Sequence, residues 1–306
     1  MTAPLHPHAY GSPVDEHEVR IVADDGVVLR GTVYEPKGNE RGVAIVFNAG
    51  GGLAIARYRH FLRHLASQGV SVLAYDYRGV GGSRPERLRG FEAGIEDWSG
   101  LDQVAAIAWM RERHPETRIA GVSHSIGALI ACASPAATNL ERIVLIAPHT
   151  GYWRDYAPRW RLPLALWWHG AMPLIARGVG FFPGRALRLG DDFPLRFAQQ
   201  WAGRRTPSFE VGSDAHRERA RQLLANLETL ALPVLAIGVT DDAFASRDGV
   251  ARFAAVIPRA QVTHAELDPA RLGRGPIGHF GFFSRRQMAA WSLVTDFVAP
   301  VPPRVG

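Results

Sequence analysis

The 306-residue chain contains one cysteine, Cys132, and one lysine, Lys37. A single cysteine excludes a disulfide within the chain and leaves too few thiols for a structural zinc site, so Cys132 is expected to be a small buried hydrophobe. A Walker-type phosphate loop needs a lysine and a hydroxyl directly after its glycines, and "GGGLAIAR" at 50–57 has neither. The glycine spacing also fails the dinucleotide fingerprint, and no cofactor is expected. The opening "MTAPLHPHAYGSP" lacks a basic start followed by an apolar stretch, which predicts no signal peptide and a cytoplasmic location. Long uninterrupted apolar runs are missing too. The nearest, 162–182, is broken by Pro163, His169, Pro173 and Arg177, so no membrane span is expected. The formal charge is +6, but it is carried by arginines interleaved with acids and not clustered around aromatics, which argues against nucleic acid as a partner.

What remains is a chain that is 47% apolar, enough for one large core or a core with an inserted subdomain. It opens with "HEVRIVADDGVVLRGTVYEP", two alternating runs around Asp25 and Gly26, which reads as an antiparallel hairpin. The run from Val43 to Phe47 is apolar at every position, as in a strand buried on both faces, and ends in asparagine and glycines. A helical pattern stops at Gly69, and "VSVLAYDYRGVGGS" comes next as a second buried strand with a glycine-rich loop. The helix "IEDWSGLDQVAAIAWMRERHP", the strand "RIAGV", a helix from Ser125 and the strand "RIVLIAP" complete the first half. Strands alternating with helices imply an α/β fold with a mostly parallel sheet, helices on both faces and ligands at the C-terminal strand ends. From His149 to Gly212 five tryptophans (Trp153, Trp160, Trp167, Trp168, Trp201) crowd among prolines without a strand pattern, which predicts an inserted helical cap. The division is then 1–148 core, 149–212 cap and 213–306 core. The second core part reads as "LPVLAIGVTDDAFAS", a helix over 248–256, the strand-like "AQVTHAELD", the loop "PARLGRGPIGHFGFF" and a last helix over 285–298. No internal repeat or low-complexity segment interrupts it.

The stretch "RIAGVSHSIGALIACA", 118–133, places two serines around a histidine at a strand-to-helix connection. A serine hydroxyl is a weak nucleophile until a base takes its proton, and the base works best when a buried carboxylate fixes its tautomer. Three distant residues meet if each lies beyond the C-terminal end of a parallel strand. The candidates are Ser125 after Val122, Asp241 or Asp242 after Val239, and His279 before the last helix.

Serine, aspartate, histidine is the chain order of the α/β-hydrolases. The sequence resembles the serine aminopeptidase-like, lysophospholipase-like branch of that family, in particular hydrolases with a "GHFGFF" histidine loop. The matching pieces are "ADDGVVLRGTVYEP", "NAGGG", "LAYDYRGVGGS", "EDWSGLD", "SHSIG", "TDDAFAS" and "IGHFGFF", in order and over nearly the whole chain outside the cap. One piece departs from the pattern: the family elbow is G-x-S-x-G, and Ser123 stands at its first glycine. The alternative frame "GVSHS" makes Ser123 the nucleophile, but only the frame on Ser125 places Gly127 at the second glycine.

The resemblance implies an acyl-enzyme mechanism on Ser125, with Asp242 preferred over Asp241 and His279 as base; the other histidines offer no comparable setting. His124 is assigned to packing on the turn. His60 and His64 share a helix face with no carboxylate or cysteine beside them, so no metal site is expected. The oxyanion donors map to the N–H groups of Gly51, with Gly50 as alternative, and Ile126. The implied activity is carboxylic ester hydrolysis on a small-molecule acyl substrate; amide cleavage, thioester cleavage and acyl transfer use the same constellation. A closed, non-catalytic binding module is the reading from another class. It predicts a histidine turned away from Ser125. The cap tryptophans are expected either to form the cap's own core or to line an acyl pocket, and Arg154, Arg159 and Arg161 either to be solvated or to orient an acidic substrate.

Overall fold

The computed structural model describes residues 12–204, 213–273 and 275–300. Its first strands, β1 (Val14–Val22) and β2 (Val28–Pro36), pair antiparallel as a hairpin. The reversal passes through Gly26 at φ 81°, a left-handed conformation that costs glycine little. Then come β3 (Val43–Asn48), β4 (Ser71–Tyr75), β5 (Arg118–His124) and β6 (Ile143–Ile146). A two-stranded ribbon of β7 (Phe181–Phe182) and β8 (Phe193–Pro194) lies apart from them. β9 (Pro233–Val239) and β10 (Gln261–Leu267) complete the main sheet.

Eight strands form that sheet in the order β1-β2-β4-β3-β5-β6-β9-β10. β2 runs antiparallel to β4, and every pair from β4 to β10 is parallel. Every residue of β3, β4 and β6 is buried, which is why these runs lack polar alternation. The fold is the expected α/β-hydrolase architecture. The chain leaves β3 toward β4 on one side and returns to place β5 on the other, so the loops after β3 and β5 diverge. A crevice opens where strand order reverses in this way. Asn48–Gly51 and Ser125 sit at it.

Between β6 and β9 the chain leaves the sheet. Short helices at Arg161–Ala165, Met172–Val179 and Leu195–Ala202, joined in part by a π turn at Leu166–Ala171, fall in the segment expected to be a cap. Gly212, its expected end, lies outside the described residues, as do His6 and His8. The helix Asp214–Thr229 packs on the core helix Gly127–Ala133, and Asn226 donates to the Ala133 carbonyl at 2.9 Å. Among the described residues no helix is long and apolar enough to cross a membrane. Cys132 is fully buried.

Candidate functional site

β5 continues two residues past Val122, through Ser123 and His124, and the helix begins only at Gly127. Ser123 is therefore a strand residue, paired opposite Asn48 and Leu145, buried, and its hydroxyl finds no hydrogen-bond partner among the described residues. Ser125 occupies the turn itself. Its φ is +57°, a left-handed value that a non-glycine residue adopts only when its surroundings hold it there. A Cβ on Gly127 would stand 2.4 Å from the Ala49 carbonyl oxygen and 2.8 Å from that of Asn48, so the elbow closes only with glycine at this position. The structure thus separates the two serines that the sequence left adjacent.

Ser125 Oγ–H donates to His279 Nε2 at 2.9 Å, and His279 Nδ1–H donates to Asp242 Oδ2 at 2.8 Å. All three are buried, with Ser125 6% and His279 7% exposed. Burial alone raises the Asp242 pKa; the adjacent His279 and the N–H groups of Ala245 and Phe244 outweigh it and hold the carboxyl at about 2. Asp241 does something else. Its two oxygens accept from the N–H groups of Ile277 at 3.0 Å and Gly278 at 2.8 Å, clasping the loop that carries His279.

Two further histidines belong to the cluster. His124 is more than packing. The Gly50 N–H donates to the Tyr58 hydroxyl at 3.0 Å, that hydroxyl donates to His124 Nδ1 at 2.8 Å, and His124 Nε2–H donates to the His279 carbonyl at 3.0 Å. This chain ties the loop after β3 to the loop of His279; burial first, then the neighbouring His279, holds the His124 pKa well below the ordinary histidine value. His149 corrects the expectation that no histidine but His279 has a suitable setting: its Nε2 lies 3.0 Å from Ser125 Oγ. The strand pattern "RIVLIAP" stops just short of it, and no motif marks the position. The one signal was general, since sites gather at C-terminal strand ends after β6 as much as after β5 and β9.

The Gly50 N–H is taken by Tyr58, whereas among the described residues no acceptor is found for the N–H of Gly51 or Ile126. A Cβ on Gly51 would meet the Phe197 ring at 2.6 Å and the Ile126 side chain (Cγ2) at 3.0 Å, so Gly51 packs against both without room for a side chain. A cavity of about 280 Å³ opens from Ser125, His149 and His279 between Phe197, Trp168 and Trp201. Of the five cap tryptophans only these two line it, while Trp160 is 46% exposed. The arginines at its wall are Arg57 and Arg188; Arg154, Arg159 and Arg161 do not line it, and Arg154 and Arg159 lie over Trp153 and Trp160. His60 hydrogen-bonds Arg285 at 3.2 Å, and His64 lies edge-on to Trp291.

Comparison with known proteins agrees with this architecture. The family model described as serine aminopeptidase, S33, matches residues 39–271. No curated protein matches the sequence. Among solved structures the chain is similar to an esterase of Pyrococcus furiosus, with a TM-score of 0.59 at 17% identity over 92% of this chain and 90% of that one. It is similar to an esterase domain from a Rhodothermus marinus protein, with a TM-score of 0.56 at 14% identity over 92% and 97% of the two chains. An acylaminoacyl peptidase of Pyrococcus horikoshii aligns at a TM-score of 0.55 and 16% identity over 93% of this chain but 41% of its own length. At these identities the likeness is one of fold.

Proposed function

The chain belongs to the serine aminopeptidase, S33, family, and on that premise we propose that this α/β-hydrolase is a serine esterase working through an acyl-enzyme on Ser125. The cap is read as residues 149–212, inserted between core parts 1–148 and 213–306.

One observation carries the reading: Ser125, on a left-handed turn, donates to a histidine whose other nitrogen is held by a buried carboxylate. With Nδ1–H committed to Asp242, His279 presents the Nε2 lone pair to the serine proton. The hydroxyl oxygen attacks the ester carbonyl as its proton passes to His279, and the carbonyl oxygen takes up negative charge against the N–H groups of Gly51 and Ile126. The C–O bond to the alcohol then breaks, with His279 returning the proton to the leaving alkoxide. Water repeats the sequence on the acyl-enzyme and frees the acid. A non-catalytic binding module predicts a histidine turned away from Ser125, whereas His279 faces it.

The lining favours an ester over a peptide. Apart from Ser125, the two histidines and the indole N–H groups of Trp168 and Trp201, the polar side chains on the cavity wall are Arg57 and Arg188, few against the donors and acceptors of a peptide backbone. Apolar acyl or alcohol groups fit the aromatic remainder.

The test is incubation with a fluorophosphonate, intact-mass measurement and peptide mapping, on the wild type and on Ser125→Ala. The expected result is one adduct on Ser125, absent in the variant, with ester hydrolysis falling by about 10³-fold or more. A folded wild type that takes no label, or takes it on Ser123, overturns the assignment.

A further inference from the structure

His149 is a second histidine on the nucleophile, and the hydrogen bonds around it fix what it can do. Its Nδ1 accepts from the N–H of Gly151 at 3.1 Å, so Nδ1 carries the lone pair and Nε2 carries the proton. The contact with Ser125 Oγ at 3.0 Å is then a donation from His149. Ser125 Oγ therefore gives its own proton to His279 and receives a hydrogen bond from His149. The two histidines are not interchangeable, because only one of them can accept.

The backbone delivers His149 at some cost. Ala147, two residues upstream, has φ +49°, and its N–H donates to the Ile237 carbonyl at 2.8 Å, which turns the chain inward at the end of β6. The imidazole is 1% exposed and stands edge-on to Trp201, with ring centroids 5.5 Å apart. Burial first, then the neighbouring His279, pushes its pKa down to about 3, which favours the neutral ring.

We propose that His149 is a further catalytic residue of the esterase reaction, a neutral hydrogen-bond donor to Ser125 Oγ that accelerates breakdown of the acyl-enzyme more than its formation. The inference rests on the acyl-enzyme reading above. In the free enzyme Ser125 is a hydroxyl and already a good acceptor, so donation from His149 is present before attack and gains little during it. In the acyl-enzyme Oγ is an ester oxygen whose lone pair is drawn toward the carbonyl, and it accepts poorly. When water attacks, giving its proton to His279, the lone pair returns to Oγ. The C–Oγ bond then breaks, the electron pair goes to Oγ, and Oγ recovers a proton from His279. His149 keeps its own proton throughout and donates most strongly as charge collects on Oγ. An interaction stronger in the transition state than in the state before it accelerates that step alone.

The experiment compares wild type, His149→Ala and His149→Gln, the last because its side-chain amide offers an N–H near the Nε2 position. A p-nitrophenyl ester is followed by stopped flow and intact mass. For His149→Ala the expected result is a kcat lower by about 10- to 100-fold, a burst of product and accumulated acyl-enzyme. Both kcat/KM, which reports acylation, and the rate of fluorophosphonate labelling should change far less. His149→Gln should recover most of the lost kcat at an unchanged melting temperature. Equal slowing of both steps in His149→Ala means that the ring only fills space, and it overturns the inference. So does a folded His149→Gln as slow as the alanine variant. A wild type that never labels at Ser125 overturns this inference together with the esterase reading, which makes the two failures distinguishable.

Discussion

On the sheet side, the site is built of hydrogen bonds with one permitted direction each: Gly50 to Tyr58 to His124 to the His279 loop, Ser125 to His279 to Asp242, Gly151 to His149 to Ser125. On the cap side, Trp168, Met172, Phe193, Phe197 and Trp201 line the cavity with carbon. The contrast extends outward. Of the eight large hydrophobic side chains exposed among the described residues, six (Trp160, Leu162, Leu166, Leu174, Leu187 and Leu189) lie between β6 and β9, and only Val22 and Phe280 lie elsewhere. Reaction chemistry needs atoms held within fractions of an ångström, and strands buried on both faces supply that rigidity. The acyl recognition proposed above would need apolar area that tolerates different shapes, which short helices around aromatic rings can supply. His149, on the first residues beyond β6, stands where the two materials meet.

The comparison breaks most sharply if the sheet-side hydrogen bonds prove dispensable. Asp242→Asn preserves shape but offers an amide to His279 Nδ1, favouring the tautomer with the proton on Nε2. That ring cannot take the Ser125 proton. The expected loss in kcat is about 10⁴-fold, with the fold intact. A pH–rate profile with circular dichroism checks it, and a loss below about tenfold removes the tautomer argument. Arg196→Met tests the joint between the regions. Arg196, on the cap helix Leu195–Ala202, is buried and pairs with Glu96 and, at 2.9 Å, with Asp97 on the core. Removing it leaves buried carboxylates short of a partner, a loss of about 3–5 kcal/mol for such pairs. A melting temperature lowered by several degrees, with selectivity among acyl lengths blunted and Ser125 still labelled, is the expected pattern. An unchanged melting temperature together with unchanged selectivity would mean that the cap does not depend on this joint.

The sequence announced the two regions unequally. Strands such as "VAIVFN" are apolar at every position but the last because both faces are covered, and the glycines at 50–52 and 127 stand where a Cβ would strike ring or backbone. These are local requirements, so they leave local marks. Strand patterns narrowed the candidates to Ser125 or Ser123, Asp241 or Asp242, and His279, and the resemblance to the family's elbow, acid and histidine loops chose among them. His149 left no such mark, since nothing in "APHT" says that Ala147 takes a left-handed turn and points the next histidine at a serine 24 positions away. Asp241 and Tyr58 were obscure for the same reason: their partners lie 36 and 66 residues distant. Between β6 and β9 the missing strand pattern pointed to helices, but which tryptophans face the cavity depended on how those helices dock. Trp168 and Trp201 turn inward and Trp160 outward.

The smallest effect sharpens the cap side of the comparison. Arg57 and Arg188 are exposed, make no ion pair among the described residues, and stand on a cavity wall that carries no carboxylate of its own. Arg188 is a third left-handed non-glycine residue at the site, at φ +58°. If the proposed esterase reading holds, two guanidinium groups beside an apolar cavity would favour an ester with a negative charge on the end away from the carbonyl. Because both side chains remain solvated, each contributes under about 1 kcal/mol. For Arg57→Ala and Arg188→Ala, KM for an ester of a dicarboxylic half-acid should rise by about two- to fivefold, more at low ionic strength than at high. KM for a neutral ester of the same length should stay as it was, and so should kcat for both. If neutral and anionic esters respond alike, the arginines are ordinary surface charges, and selection at the cap rests on its aromatic surface alone.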